Sequence, residues 1–334
     1  MIYKGQSLNR ELRTIPFLKL QEGELYQSYN LVSEEERERF YIITTLKCPC
    51  KCKFCLFILT ADEMQDCPDS VLAETAGRVL RAFPDTNFSI SITGGEPLMF
   101  EKRIIALLNA IRDNTSPQMV RWIGFGTSGT TKLPLYLNSY PDFHFDLYLS
   151  RHHYDLEKQT KAFVNNVRPH DVSEYSNLHD HVSVRLTCNL IGGGIDSLKQ
   201  IKRYLGFAKS RGVKYVTFRE LNKISGDASM YAQKYILDYI DYYGESLVPL
   251  QDILATVEVD SEFKFISQDI RPFIYHERWG YGDIEVTFRR VDEEQLLQYN
   301  DSFDDIDEVV LHPDGLVTGC WDRNQKILDL SAVK

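Results

Sequence analysis

The sequence lacks the features that mark non-globular or exported proteins. No apolar run approaches the roughly 18–20 residues needed to cross a bilayer, so we predict no membrane span and no membrane partner. The first residues are charged throughout and lack the apolar core of a secretion signal, which favours a cytoplasmic location. The 334 residues contain no internal repeat, low-complexity tract or Gly/Ser linker. Apolar residues make up 43% and charged residues 26%, values that exclude a mainly disordered chain, a collagen-like fibre and a coiled coil.

The chain also has fewer basic than acidic residues. Lys and Arg total 38 against 48 Asp and Glu, which gives a formal net charge of −10. Such a surface repels phosphate backbones, so the composition disfavours a nucleic-acid partner unless a local basic patch overrides it.

The chain has seven cysteines, and four of them lie within residues 48–55. In a reducing cytoplasm thiols rarely pair as disulfides, so a cluster this tight indicates a metal site.

Strand patterns alternate with helix patterns from about residue 40 to 220. We predict strands over 40–46, 88–93, 120–126, 143–150, 181–191 and 213–221, with helices near 69–83, 101–113, 154–167 and 196–211. This alternation favours parallel strands joined by right-handed crossovers.

One face of these strands is repeatedly polar. In the fifth strand Leu186 and Cys188 share one face, whereas Arg185, Thr187 and Asn189 share the other. A parallel sheet covered by helices on both sides is apolar on both faces. We therefore predict an α/β fold in which a partial (β/α)6 TIM-like barrel encloses a wet lumen that holds a ligand.

The pattern changes after about residue 225. We predict helices over 226–243 and 247–257, strands near 262–267 and 282–290, and a hairpin over 308–321. The predicted organisation is an N-terminal extension (1–39), the barrel core (40–225) and a smaller α+β C-terminal region (226–334) that caps the barrel or binds substrate.

Cys48, Cys52 and Cys55 form a CxxxCxxC motif directly after the first strand. Three thiolates on a short loop suit three irons of a four-iron four-sulfur cluster and leave the fourth iron open to a ligand. Two other uses stay open at this point. Structural zinc is one, although its ligand pairs are usually a dozen or more residues apart, and a Cys52–Cys55 redox pair is the other.

A second motif ends the second strand, where Gly94, Gly95 and Glu96 precede a proline. Paired glycines allow close backbone approach, and the carboxylate is able to accept from an ammonium group of a ligand. Alone, this segment also fits an ordinary strand-to-helix turn.

Together, the two motifs make residues 40–220 resemble the radical S-adenosylmethionine (SAM) enzymes. The resemblance includes the aromatic Phe54 just before the last cysteine. Later segments resemble the group that contains GTP 3′,8-cyclase and the peptide-modifying enzymes, which often has a Thr-Asn-Gly turn at the place of Thr-Ser-Gly at 127–129 in this chain. It implies one 4Fe-4S cluster and SAM, which is cleaved reductively to a 5′-deoxyadenosyl radical that abstracts hydrogen from a substrate. An electron donor such as flavodoxin or ferredoxin is implied as a partner.

The resemblance also implies roles for individual residues. Cys48, Cys52 and Cys55 would bind the cluster, while Cys50 has no counterpart and is treated as a spectator. The remaining assignments concern SAM. The backbone near Phe54 would contact the adenine, and Gly94, Gly95 and Glu96 would receive the amino group. Ser150 and Asn189 would face the ribose or carboxylate, and Arg185 would pair with the carboxylate. For the last three, ordinary solvation of the lumen is the alternative.

The C-terminal region (226–334) departs from the group, because Cys320 is its only cysteine, which disfavours a second cluster bound wholly by the chain's own cysteines. Cys320 is a candidate hydrogen-atom donor, or simply a buried small residue. Two further polar segments are candidate substrate contacts or solvated surface: 151–153 after the fourth strand, and a basic, aromatic stretch over 271–290.

We therefore predict a radical SAM enzyme that acts on a small metabolite. The alternatives are modification of a ribosomally made peptide, such as epimerisation or cross-linking, and a non-catalytic iron–sulfur redox sensor.

Overall fold

The computed structural model describes residues 39–59, 65–163, 165, 167–224, 233–270, 274–291 and 308–333. The predicted N-terminal extension therefore lies outside the described residues, except for Arg39, at which the first strand begins.

The core contains the predicted succession of strands and helices. Its elements are β1 (Arg39–Thr45), α1 (Asp69–Ala82), β2 (Phe88–Gly94), α2 (Glu101–Asn114), β3 (Val120–Thr127), β4 (Phe145–Ser150), α3 (Leu156–Ala162), β5 (Val182–Asn189), α4 (Leu198–Ser210) and β6 (Tyr215–Arg219). The helices follow from apolar residues spaced three and four apart; in α1 these are the buried Leu72, Ala76, Val79 and Leu80. Within the described ranges, none of the helices combines the length and the apolar character that crossing a membrane requires.

The six core strands are parallel and lie in sequential order in one large sheet. This arrangement confirms an α/β fold with a mostly parallel sheet, and sequential parallel order is also what a partial (β/α)6 barrel requires.

The two faces of the sheet differ as the alternation predicts. Phe125, Phe145 and Leu186 are fully buried on the face that α1, α2 and α4 cover, and they belong to the main hydrophobic core. On the opposite face, Arg185 and Thr217 are only half-buried. The carboxyl ends of the strands on this second face are where ligands bind in parallel α/β folds, by analogy with complete barrels.

The C-terminal region contains α5 (Gln233–Ser246), α6 (Leu250–Glu258), β7 (Phe263–Ile270), β8 (Ile274–Tyr281), β9 (Ile284–Val291), β10 (Glu308–Leu311) and β11 (Val317–Thr318). Its strands do not form a sheet of their own. β9 pairs parallel with β6, and β8 and β7 follow it antiparallel; β10 pairs parallel with β1 at the other side, so the order is β11-β10-β1-β2-β3-β4-β5-β6-β9-β8-β7. β8 was not predicted from the sequence.

Candidate functional site

The cysteine loop leaves the carboxyl end of β1 and is held from the far side by the end of α3. The backbone N–H of Lys51 donates to the Phe163 carbonyl (3.0 Å), and the Asn165 amide donates to the Pro49 carbonyl (2.8 Å). Cys50, Cys52 and Phe163 form a small buried cluster of their own, against which Cys48, Phe54 and Cys55 pack. The fold therefore brings the three predicted ligands together.

The thiols of this loop interact with each other. The Cys50 backbone N–H donates to Sγ of Cys48 (3.4 Å), and the Cys50 thiol is within hydrogen-bonding range of the Cys48, Cys52 and Ser128 side chains. The hydrogen bond with Cys48 lowers the pKa of Cys50, but the hydrogen bond with Cys52 and burial raise it to about 12. The hydrogen bond with Cys50, and then burial, raise the pKa of Cys48. Cys50 thus lies among the predicted ligands, a contact that the sequence did not indicate.

The donor set suits soft metal chemistry. Three thiols on one loop are ligands that select iron–sulfur clusters or zinc over hard cations. No three His, Cys, Asp or Glu side chains in the described ranges are arranged around a point that would hold a single metal ion. Thiolates that bind different irons of one cluster do not need to converge on one point, so the loop fits the cluster by its ligand chemistry.

The GGEP turn lies against the start of the cysteine loop. The backbone N–H of Gly95 donates to the Thr45 carbonyl (2.7 Å), and that of Glu96 donates to the Lys47 carbonyl (2.9 Å). A Cβ at Gly94, where φ is +129°, would lie 2.2 Å from the Thr45 carbonyl oxygen, and one at Gly95 would lie 2.3 Å from that of Lys47. Both glycines are therefore required by the approach of the chain's own backbone.

The Glu96 carboxylate is completely buried and is hydrogen-bonded to residues at the carboxyl end of β3. It accepts hydrogen bonds from the Thr127 hydroxyl (2.8 Å), from the backbone N–H (2.7 Å) and hydroxyl of Ser128, and from the Leu98 backbone N–H (3.2 Å). Burial raises the pKa of Glu96, and these donors oppose the rise. Four donors occupy the lone-pair sites of a carboxylate, so an ammonium group of a ligand would reach Glu96 through its charge or after one donor leaves.

Two predicted SAM contacts end neighbouring strands on the polar face. Ser150 is the last residue of β4 and Asn189 the last residue of β5, and both are half-buried. Arg185 differs, because its Nε lies 3.0 Å from Oδ1 of Asp146 and its guanidinium lies 4.3 Å from the centre of the Tyr215 ring. Burial, the largest single effect, lowers the pKa of Arg185, but Asp146, Tyr148 and Tyr215 together outweigh it and raise the pKa. A role for Arg185 at the SAM carboxylate therefore requires it to leave Asp146.

The two histidines after β4 are buried, which makes a simple solvated turn the wrong description. His152 and His153 are 7% and 3% exposed, and their backbone N–H groups both donate to the side-chain carbonyl of the buried Gln159. The His152 ring packs edge-on against Phe54 of the cysteine loop, with 4.5 Å between ring centres. Sequence reasoning noted this segment but had no signal for its contact with the loop.

The side chains of the basic stretch over 271–290 lie on both faces of the sheet. Arg271 lies outside the described residues. Arg290 forms an ion pair with Glu220 (3.2 Å), and Trp279 is buried and donates to Glu277 (2.9 Å). Arg278 is exposed and donates to the Ser267 hydroxyl.

The other basic residues of the 271–290 stretch, His276 and Arg289, form a row with Arg219 on the polar face of the sheet. Register places Asn189 beside Arg219, Arg219 beside Arg289, and Arg289 beside His276, with Asp269 at the outer end. After burial, the charge of Arg219 is one cause of the lowered pKa of His152, whose ring packs on Phe54 of the cysteine loop. The sequence showed Arg219 and Arg289 separately, but their pairing depends on strand register.

Cys320 follows the β10–β11 hairpin, and its neighbour Trp321 packs near Phe57, just after the cysteine loop, with 6.4 Å between ring centres. The turn of the β10–β11 hairpin lies near the start of α1, where the Cys67 backbone N–H donates to the Pro313 carbonyl (2.8 Å). From there β11 runs back antiparallel to β10, toward the amino end of β1. Cys320 follows β11, is fully buried, and directs its thiol at the backbone carbonyls of Asp322 and Gln325. Its thiol therefore has partners within the protein, and its role as a hydrogen-atom donor stays a prediction.

No protein-family model and no curated protein matches the sequence. Solved structures with a similar fold include SuiB of Streptococcus suis (TM-score 0.49, 15% identity, 86% of this chain and 60% of that one) and native anSMEcpe with bound AdoMet (0.47, 15%, 85% and 74%). A radical SAM methyltransferase from Sphaerobacter thermophilus is more distant (0.38, 14%, 60% and 62%). The chain spans about 60% of the length of SuiB.

Proposed function

We propose that this protein is a radical SAM enzyme whose site lies at the carboxyl ends of β1, β2, β4 and β5 in a partial (β/α)6 barrel. One observation carries the proposal. The cysteine loop and the GGEP turn, about 40 residues apart in the sequence, are joined by the Gly95–Thr45 and Glu96–Lys47 backbone hydrogen bonds. Two motifs of that family thus form one structural unit, on a face of the sheet that is polar.

The residues of this unit have separate tasks in the proposal. Cys48, Cys52 and Cys55 would hold a 4Fe-4S cluster, which when bound supplies the electron for reductive cleavage of SAM. Glu96 fixes the β2 and β3 ends next to it and contributes buried negative charge toward the SAM ammonium group. The side chains of Ser150 and Asn189 offer hydrogen bonds on the β4 and β5 side.

We propose that the substrate carries a negatively charged group. Arg219 and Arg289 are register partners on neighbouring strands of the polar face, and two adjacent arginines favour an anion bound by both. A small acid and a peptide with an acidic side chain both meet this requirement. SuiB and anSMEcpe have both been solved with peptides, whereas our first candidate stays a small metabolite. A flavodoxin or ferredoxin stays our candidate electron donor.

The cluster is tested by anaerobic reconstitution with iron and sulfide, followed by metal analysis and electron paramagnetic resonance of the reduced protein with and without SAM. Cys52→Ala should lose the cluster and all 5′-deoxyadenosine formation. Cys50→Ser, in the same loop but outside the triplet, should retain both. Zinc in the loop, or loss of the cluster in Cys50→Ser alone, would refute the ligand assignment. A full cluster that never cleaves SAM would favour the redox sensor.

The anionic group is tested with inorganic phosphate as the probe. We expect phosphate to raise the melting temperature of the wild type, and Arg219→Gln to reduce that rise by at least half. Arg278→Gln is the matched control, because Arg278 lies on the same sheet but is exposed beside Ser267. Equal responses in both variants would contradict an anion site at Arg219.

A further inference from the structure

Arg151 is a buried arginine whose guanidinium has no hydrogen-bond or ion-pair partner among the described residues. It follows β4, its backbone N–H donates to the Thr187 carbonyl (2.8 Å), and only 3% of the residue is exposed. Its Nε is completely buried without a hydrogen-bond partner, and no described carboxylate pairs with the guanidinium. A buried charge without a counter-charge is costly, and a ligand that supplies the counter-charge removes that cost.

The acidic residue that influences Arg151 is bound to another arginine. Burial lowers the pKa of Arg151, and the charges of Tyr204 and Asp171 only partly oppose that effect. Asp171 forms an ion pair with Arg211, whose Nε lies 3.1 Å from its Oδ1, and the same oxygen accepts from the Ser173 backbone N–H (2.9 Å). Two guanidiniums therefore share one carboxylate, which leaves an excess positive charge at Arg151.

Aromatic side chains of α4 place Arg151 on the helix-covered side of the sheet. Its guanidinium lies 5.7 Å from the centre of the Phe207 ring. The Tyr204 hydroxyl donates to the Arg151 carbonyl (2.6 Å), and the Tyr204 ring packs against Phe218 of the main hydrophobic core, with 5.3 Å between ring centres. The polar face, to which the SAM and substrate contacts are assigned, is on the other side of the sheet. The Arg151 side chain therefore lies apart from that site.

His153, two residues further along the chain, has a second unused donor. The backbone N–H of Asp155 donates to Nδ1 of His153 (2.8 Å), so Nδ1 is an acceptor. Burial lowers the pKa of this histidine, which keeps the ring neutral at ordinary pH with its proton on Nε2. Nε2 is completely buried and has no hydrogen-bond partner, and only 3% of the residue is exposed. The turn after β4 therefore contains two buried donors that no group in the described part of the chain uses.

A cavity of about 330 Å³ adjoins this turn. Its walls include Leu156, which begins α3, and Asp171, and the exposed Arg168 adds a positive charge. Both acids in the wall have partners, because Asp171 is paired as described and Glu174 lies 3.0 Å from Nδ1 of His170. The volume is at the lower end of the range for small-molecule sites. The cavity thus offers space for a small ligand without an unpaired carboxylate that would repel an anion.

We propose that Arg151 and His153 form a binding site for a small oxyanion, the phosphate or carboxylate group of a ligand, on the helix-covered side of the sheet. An oxyanion supplies the missing counter-charge and accepts from a guanidinium and an imidazole N–H at once, whereas a neutral acceptor would leave the charge uncompensated. This site is separate from the anion site proposed at Arg219, and it requires neither the cluster nor SAM. The inference therefore goes beyond the proposed function.

The experiment uses the full-length chain with Arg219→Gln as the parent, so that the anion site proposed for the substrate is removed. Arg151→Met in that parent removes the guanidinium and keeps an apolar side chain of similar length. His153→Asn keeps an acceptor near the position of Nδ1 and loses the Nε2–H donor. Lys158→Gln is the matched control, because it removes one exposed positive charge whose effect reaches His153.

The melting temperature of each protein is measured with inorganic phosphate or acetate added at constant ionic strength. At least one of these probes should raise the melting temperature of the parent, and Arg151→Met should lose that rise. Without added anion, Arg151→Met should melt no lower than the parent, because the variant removes an uncompensated buried charge. His153→Asn should weaken the apparent affinity about tenfold, the effect of one hydrogen bond, and Lys158→Gln should stay within about threefold. The stronger of the two probes identifies the group that the site prefers.

A spectroscopic readout covers the case of a variant that fails to fold. In a long-range ¹H–¹⁵N spectrum of the histidines in the parent, His153 should show the neutral Nε2–H form. The preferred probe should shift its Nε2 signal, and SAM should not displace the probe from anaerobically reconstituted protein.

The inference is wrong if neither probe changes the melting temperature of the parent, or if Arg151→Met and the parent respond equally. A lower melting temperature of Arg151→Met in every buffer, with an unshifted His153 signal in the parent, would make Arg151 a structural residue and also overturn it. Displacement of the probe by SAM would assign the two donors to the SAM site instead. If the reconstituted protein binds no SAM, the proposed function fails, while the probe responses still decide this inference.

Discussion

Replacing the Glu96 carboxylate by an amide tests how the site is held together. In Glu96→Gln one acceptor oxygen becomes an NH₂ donor in a completely buried position. Whichever oxygen is replaced, one backbone N–H, that of Ser128 or that of Leu98, then faces another donor, whereas the hydroxyls are able to rotate and accept.

The magnitude follows from two opposing terms. A buried backbone donor left without an acceptor costs about 1–3 kcal/mol, and the bonds that remain lose roughly half their strength with the charge. Removal of a buried charge returns part of its desolvation cost. We expect the free energy of unfolding to fall by about 2–3 kcal/mol in Glu96→Gln.

The assay is chemical denaturation of the cluster-free protein, followed by circular dichroism. Thr127→Val is the control, because it removes one hydroxyl donor to Glu96 and preserves the shape of the side chain. It should cost about 1 kcal/mol, and the double variant should be less destabilised than the sum, since the two groups share a hydrogen bond. A Glu96→Gln protein as stable as the wild type would refute the reasoning, because desolvation of the charge would then outweigh its four hydrogen bonds.

Three other outcomes follow from the same structure. Gly95→Ala should destabilise the protein by about 2 kcal/mol or more in denaturant titrations, because its Cβ meets backbone, whereas Gly206→Ala, with open space inside α4, should be neutral or slightly stabilising. Burial lowers the pKa of His312 to about 4 from 6.5, so the unfolded chain takes up the proton first. The free energy of unfolding should therefore fall by about 2–3 kcal/mol between pH 6.5 and pH 4, and by less in His312→Gln; a parallel pH profile for that variant would contradict this. Cys320→Ala should leave the rate of 5′-deoxyadenosine formation unchanged, because its thiol is buried against backbone carbonyls, and loss of product at an unchanged rate would support the hydrogen-donor role.

The core of the fold was predictable because its periodicity is strong. Apolar and polar residues alternate regularly in β2, β4, β5 and β6, and each helix between them has one apolar stripe. The prediction of α3 extended too far, to residue 167. The helix ends at Ala162, and the carbonyl of the next residue, Phe163, accepts from the cysteine loop, a tertiary contact with no local signal.

β8 was missed because a charged residue lies on its buried face. Glu277 is completely buried, and it interrupts the apolar alternation of the strand. Its carboxylate accepts from the Tyr275 hydroxyl and from the Trp279 indole (2.9 Å), so burial is compensated by hydrogen bonds within the same strand. Composition alone does not show which carboxylates are compensated in this way.

The site was predictable as a set of motifs but not as a set of contacts. The polar strand face placed Arg185 with Ser150 and Asn189, yet the ion pair with Asp146 depends on the register of β4 and β5. Likewise, Glu96 was identified, whereas its partners at 127–128 follow from the pairing of β2 with β3. Register is set by packing over the whole sheet, and single strands do not encode it.

The cysteine loop is anchored by elements distant in sequence on both of its sides. At its start, Gly95 and Glu96 bind the carbonyls of Thr45 and Lys47; in its middle, Phe163 and Asn165 hold residues 49–51. These contacts involve backbone and an amide, and none of them uses a thiol. None of these anchoring contacts depends on a metal, so under the proposed function formation of a cluster would have to ionise and reorient three side chains. Removal of the cluster would then abolish activity while leaving the sheet intact.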